Sequence, residues 1–332
     1  MEKRVVAFGE VMMRLSTPDN QRFTQANHMK TLYAGSEANV VASLAVFGDS
    51  AEMVTVVPEN DLGLATIDSI RKNGVITDHI LIEGDRLGLY FLETGAAQRS
   101  SKIVYDRFNS AFSEIKPGSI DWDSIMKEAS WFHWSGITPA VSQGAATVCA
   151  EAIASANKHG VTVSGDINYR RNLWQYGKSA HEIMPDLIAG THIIIAGLED
   201  FKNCLSIDEP DYEKACRVVC EKYPQIRKIS TTYRETVNAT HNKLYGVMWD
   251  GRKLSNSQTH DIYPIIDRVG AGDAYMAGLI YGWTHGMNDM ETLEFGVAAG
   301  VLKHSVEGDV NYCSVDDVKQ LAKGENIGKL LR

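Results

Sequence analysis

Between residues 262 and 283 the chain sets three demands in one stretch: a short apolar run at 262–266, the turn Asp267-Arg268-Val269-Gly270-Ala271-Gly272-Asp273, and a long apolar run at 274–283. The order is strand, glycine turn, helix, with Gly278 and Gly282 spaced to let a neighbouring element approach one helix face. Gly270, Ala271 and Gly272 carry almost no side chain. A polyanion can therefore reach their backbone N–H groups, which point outward from the unsatisfied first turn of a helix. Phosphoryl transfer needs such a cradle, because charge spreads over the equatorial oxygens of the moving group and fixed dipoles stabilise it without reorganising. Asp273 sits where the cradle ends. A carboxylate there is stabilised in its ionised form and is placed to accept a proton from an attacking hydroxyl. The same residues also read as a plain turn with a capping aspartate, and four residues leave both readings open.

The rest of the chain supplies a setting for that turn. Apolar runs of strand length at 5–8, 51–57, 131–136, 161–166, 192–196 and 228–232 alternate with helical stretches at 40–47, 61–73 and 144–159. That alternation predicts an α/β fold with a mainly parallel, doubly wound sheet. Residues 80–82, 88–93 and 102–105 are strand-like without helices between them. Together with part of 12–34 they predict either a small antiparallel sheet laid over an active site or an extension of the sheet edge. Asp250-Gly251 predicts a tight hairpin turn after the strand at 244–249, and 291–307 a long helix stopping near Gly308.

A length of 332 residues allows one large domain or two smaller ones. Without repeats or an interdomain linker, 1–332 reads as a single domain with lid segments at about 12–34 and 79–110. A net charge of −9 argues against nonspecific nucleic-acid binding. No stretch nears the roughly 20 apolar residues of a membrane span, and Met1-Glu2-Lys3-Arg4 carries no apolar leader, so a cytoplasmic protein without a membrane partner is expected. Cys149, Cys204, Cys216, Cys220 and Cys313 form no Cys-x-x-Cys pair, which predicts neither a disulfide framework nor a zinc site. Cys216 and Cys220 share one helix face as small hydrophobes.

Three further clusters carry candidate chemistry. Gly35-Ser36-Glu37-Ala38-Asn39 precedes a helix and offers a carboxylate and an amide to ligand hydroxyls, or simply an N-cap and its turn. Arg107, two residues after Tyr105, has a planar fork that matches a carboxylate bidentately, although a lone surface arginine also reads as a solvated charge. Asn168, Arg170 and Arg171 follow the strand at 161–166, and ligands of open α/β sheets bind beyond strand C-termini.

Asp267 to Asp273, followed by Ala274 and Tyr275, resembles the C-terminal signature of the ribokinase-like (PfkB-type) carbohydrate kinases. The resemblance implies a three-layer α/β/α sandwich with a β-sheet lid. It also implies an anion hole at Gly270, Ala271 and Gly272, Asp273 as general base, and ATP with Mg2+, a monovalent cation being a further candidate. Gly35 and Asn39 match the sugar-contact segment of the family, with Ala34 replacing its first glycine. Gly35 to Asn39, Tyr90 and Tyr105-x-Arg107 are similar to the substrate positions of 2-keto-3-deoxygluconate kinases. Asn168-x-Arg170 matches the place where the arginine touches nucleotide phosphate and sugar acid.

By the same resemblance Thr232 and Arg234 lie in the ATP site, the segment from Lys303 to Gly308 borders the adenine, and Asp200 is tied to metal. Two departures stand out: Gly197 replaces the usual Asn ahead of Asp200, and Tyr233-Arg234-Glu235-Thr236 replaces a Gly-rich loop. The resemblance thus implies ATP-dependent phosphorylation of 2-keto-3-deoxygluconate on its 6-hydroxyl, by a homo-oligomer formed through the lid. The alternatives are a kinase for another sugar or ketohexose, or a non-catalytic sugar-binding relative.

Overall fold

Val5, Val6, Ala7 and Phe8 set the layers. In the computed structural model, which describes residues 4–325, all four have 1% exposure or less. Met1 to Lys3, on which part of the expectation of a leaderless start rests, lie outside the described residues. Successive side chains of a strand point to opposite faces. Accordingly Val5 and Ala7 join Val41, Leu44, Met276 and Ile280 on one side, while Val6 and Phe8 join Phe112, Trp122, Phe132 and Trp134 on the other. Two cores on two faces make the three-layer sandwich. Each fully buried side chain of the size of Val or Phe contributes about 1.5–3 kcal/mol, so a strand covered on both sides must be apolar without alternation.

The main sheet has nine strands among the described residues. Its order is Leu254–Asn256, His241–Trp249, Lys228–Asn238, Ile193–Ile195, Thr162–Asp166, Ala129–Ser135, Arg4–Phe8 and Ala51–Val54, with His260–Ile262 also on the edge of His241–Trp249. Pairing is parallel from Lys228–Asn238 through Ala51–Val54, and antiparallel beyond. The expected hairpin at Asp250-Gly251 joins His241–Trp249 to Leu254–Asn256. The strand expected at 262–266 is displaced to His260–Ile262. Pro264 cannot donate to a ladder, and the amides of Ile265 and Ile266 instead reach the carbonyls of Thr240 and His304.

A second sheet of four strands stands off the body: Lys30–Ala34, Met12–Ser16, Leu89–Glu93 and Lys102–Asp106. It is the expected lid, but mixed, because Met12–Ser16 and Leu89–Glu93 run parallel. Residues 79–82 are not part of it. Leu81–Ile82 pairs with Val56–Val57 in a separate two-stranded piece, and Leu81 packs on the main core next to Val56, an apolar surface the lid does not offer.

Helix Ala271–Thr284 lies against helix Asp289–Lys303. A Cβ added at Gly278 would come within 2.7 Å of Gly296 Cα, so the glycine is what allows this approach. No helix among the described residues is long and apolar enough to cross a membrane.

Candidate active site

A cavity of about 520 Å³ opens beyond the C-terminal ends of the parallel strands, between the body and the lid. Helix Ala271–Thr284 points its first turn into it. Gly270, the N-cap, has φ +83°, and a Cβ there would meet the Asp309 carbonyl oxygen at 1.9 Å, so no other residue fits. Gly272 is exposed, with nothing within 4 Å of an added Cβ, which leaves the amides of the first turn open to the cavity. The expected cradle and its aspartate therefore face one space.

Asp273 is gripped by two side chains of helix Ser36–Val46: Ser36 Oγ donates to Oδ1 at 2.9 Å and Asn39 Nδ2 to Oδ2 at 2.7 Å. Burial pushes its carboxyl up to about 7; the bonds from Asn39 and Ser36 oppose that rise, and Asp309 and Glu37 add to it. The stretch Gly35 to Asn39 thus splits by helical spacing. Ser36 and Asn39 turn to the aspartate, and the Glu37 carboxylate accepts from Ser135 and Thr138. Ala38, expected among the substrate contacts, does not line the cavity; it packs in the core with Val41. Gly35 does line it.

Behind the loop lies a buried ionic cluster that sequence reading missed. Arg14, 2% exposed and carried by the lid strand Met12–Ser16, donates to Asp267 Oδ2 and Asp309 Oδ2, each at 2.7 Å, and to Ser16 Oγ at 2.6 Å. Tyr90 OH donates to Asp309 Oδ1 at 2.6 Å, and the amides of Val269 and Gly308 donate to the Asp267 carboxylate. Gly308, expected beside the adenine, is therefore turned toward the back of the loop. Lys303, expected there too, is fully buried in the same place and is not on the cavity wall. Their shared reason is that the segment after helix Asp289–Lys303 folds under the loop that Asp267 opens.

At the lid end, Tyr90, Tyr105 and Arg107 line the cavity. Arg107 is 4% exposed, with Nε 2.8 Å from Glu10 Oε2 and a second, shorter contact from Nη2; Ser110 Oγ donates to Glu10 Oε1 at 2.6 Å. Glu10 thus occupies one edge of the guanidinium and leaves Nη1 as its remaining nitrogen. Arg170 faces Tyr105 and Arg107 across an adjoining cavity, and its Nη1 donates to the Tyr169 carbonyl. Thr232, Arg234 and Arg268 also line the wall, two cations of the kind a polyphosphate needs.

The residues present also fit Mg2+. No cluster of three or more His, Cys, Asp or Glu among the described residues is able to hold a metal, but Mg2+ takes one or two carboxylates and completes its shell with water and phosphate. Asp166 and Asp200 both line the cavity. Burial, with Asp200 and Asp273 nearby, raises the Asp166 carboxyl to about 8, and a cation would relieve that crowding. Asp200 already accepts from the Gly197 amide at 2.8 Å and the Tyr169 amide at 3.1 Å, so it serves as a helix cap, whereas Asp166 takes the Asn168 amide on one oxygen. Asn168 itself lines the cavity.

Comparison with known proteins agrees with this geometry. The profile of the pfkB family carbohydrate kinases matches residues 2–316. A crystal structure of 2-dehydro-3-deoxygluconokinase from Thermotoga maritima is 40% identical, with a TM-score of 0.93 over 98% of this chain and 99% of that one. A 2-dehydro-3-deoxygalactonokinase of Haloferax volcanii is 27% identical over 329 residues, 99% of each chain. A crystal structure from E. coli, solved with ATP and Mg2+, shares the fold at a TM-score of 0.80 and 16% identity, covering 98% of this chain and 100% of that one. The profile spans nearly the whole sequence, and the chain belongs to the pfkB family of carbohydrate kinases.

Proposed function

We propose that this kinase transfers the γ-phosphoryl group of ATP to the 6-hydroxyl of 2-keto-3-deoxygluconate. The observation that carries the reading is Asp273, held by Ser36 and Asn39 at the open first turn of helix Ala271–Thr284, in a cavity that also contains Arg107 and Arg170. The sugar hydroxyl oxygen forms the new bond to phosphorus as its proton passes to the Asp273 carboxylate; the bond from phosphorus to the bridging oxygen breaks, and ADP leaves. The amides at Gly270, Ala271 and Gly272 stabilise the charge that develops on the moving group. Arg234, Arg268 and Thr232 hold the nucleotide phosphates. Arg170 and the free edge of Arg107 meet the carboxylate of the sugar acid.

Asp166 and Asp200 are the carboxylates that would hold Mg2+, which would supply neutralisation of the phosphate charge. The lid excludes water and so suppresses ATP hydrolysis. The outer lid strand Lys102–Asp106, exposed along its whole length, supports self-association through the lid, and a cytoplasmic location accompanies this reading.

A coupled assay of ADP release over 2-keto-3-deoxygluconate, 2-keto-3-deoxygalactonate and neutral ketohexoses tests the assignment. The sugar acids are expected to show the higher kcat/KM. A neutral ketohexose turned over more efficiently would overturn the substrate, and sugar-acid binding by calorimetry without any turnover would reduce the chain to a binding protein.

A further inference from the structure

Lys303 closes helix Asp289–Lys303 and has 0% exposure. A lysine in a final helical turn ordinarily reaches water, since burying an ammonium without compensation costs several kcal/mol. Here Nζ lies 3.0 Å from the Val306 carbonyl oxygen and 3.5 Å from that of Asp267. Both acceptors are main chain. The neighbouring carboxylates of Asp267 and Asp309 are taken by Arg14.

The two carbonyls come from the segments that back the anion loop. Asp267 opens the loop, and Val306 leads into Gly308 and Asp309, the latter supplying the carbonyl against which Gly270 packs. Carbonyl dipoles converging on one point are what a monovalent cation seeks in a protein. An ammonium, with three donors and one charge, satisfies the same arrangement without being bound from solution. Its burial lowers its pKa, with Asp267 and Asp309 opposing the shift.

We propose that the Lys303 ammonium is a built-in monovalent cation: it clamps the Asp267 and Val306 carbonyls and fixes one positive charge behind the anion loop, so that turnover needs no added K+ or NH4+. Lys303 is then a positioning residue, since it acts through the loop and touches neither substrate. The inference rests on the phosphoryl-transfer reading above.

Initial rates are measured with ATP, Mg2+ and 2-keto-3-deoxygluconate in tetramethylammonium buffer, with and without KCl or NH4Cl. Wild-type kcat is expected to change by less than about twofold on adding either salt, whereas Lys303→Ala loses about tenfold or more in kcat, with little change in sugar KM, and regains part of it with NH4+ or K+. Lys303→Met, which fills the volume without the charge, is expected to show the loss without the recovery. Strong activation of the wild type by K+ overturns the proposal whether or not the variants fold. So does a folded Lys303→Ala that keeps full kcat, or one whose loss no monovalent cation restores. Wild-type turnover absent under every salt would instead mark failure of the kinase reading itself.

Discussion

The two walls of the cleft follow opposite rules. On the loop side, Asp267 takes Arg14 and two backbone amides, while Asp309 takes Arg14 and Tyr90, and every one of these bonds but that of the Val269 amide is buried. On the lid side, the outer strand leaves Ile103, Val104 and Tyr105 at 44%, 53% and 45% exposure. Dipoles stabilise a transition state only if they need not move, so the anion loop must be fixed. A lid must open to admit a sugar, so its outer edge cannot be buried in the body. Arg14 and Tyr90 belong to the two central lid strands yet reach Asp267 and Asp309, so the root of the lid is tied to the rigid wall.

The largest expected break in that comparison is on the rigid side. Asp273→Asn keeps the shape of the group and removes its basicity, so kcat should fall by about two to four orders of magnitude while the Kd for ATP, measured by calorimetry, stays nearly constant. Unchanged turnover would remove Asp273 from the role of base. Next is Arg14→Met, which leaves two carboxylates in a buried site without their cation. A loss of about 3–5 kcal/mol is expected from urea denaturation, against less than about 0.5 kcal/mol for Val104→Ser on the exposed lid strand. Similar losses for both would erase the distinction between root and edge.

How much of this was legible in the sequence depends on how local the signal is. The loop and Asp273 occupy contiguous residues whose glycines have a steric reason, so seven letters carry the arrangement. The layered sheet was legible because strands buried on both faces cannot alternate. The cluster behind the loop was not legible: Arg14 meets Asp309 across 295 residues and Asp267 across 253, and nothing in either neighbourhood announces a partner. Glu10 and Arg107 are likewise 97 residues apart. Lys303 was placed beside the adenine by resemblance alone, and no local pattern announces that the fold of residues 304–309 beneath the loop encloses it. At Gly35 to Asn39 the stretch was legible but not which side chains face the cavity, since that depends on the rotation of the helix against Asp273.

On the lid side the expected effect is smaller and falls on binding. Arg107→Ala should raise the KM for the sugar acid by about tenfold or more, in the range of one charge-assisted hydrogen bond, while the KM for ATP hardly moves. The same change strips Glu10 of its partner. Pairing it with Glu10→Gln separates the carboxylate contact from the repair of the pocket: if the double variant regains stability but not sugar affinity, the arginine recognises the acid directly. Equal rises in both KM values would argue against that contact.

The smallest effect tests how the two residues of helix Ser36–Val46 tune the proposed base, Asp273. Asp273 accepts a proton only when ionised, and its carboxyl stands at about 7, above the ordinary carboxylate range. The ionised fraction therefore falls as pH drops through that value, and kcat/KM for the sugar should decline about tenfold per pH unit on the acid side. Asn39 Nδ2, 2.7 Å from Oδ2, favours the ionised form. Asn39→Ala should then move the acid limb to higher pH by less than about one unit, with Ser36→Ala moving it the same way. A limb that stays in place would assign the titration to a group other than Asp273, and Asp273 would lose the role of titrating base.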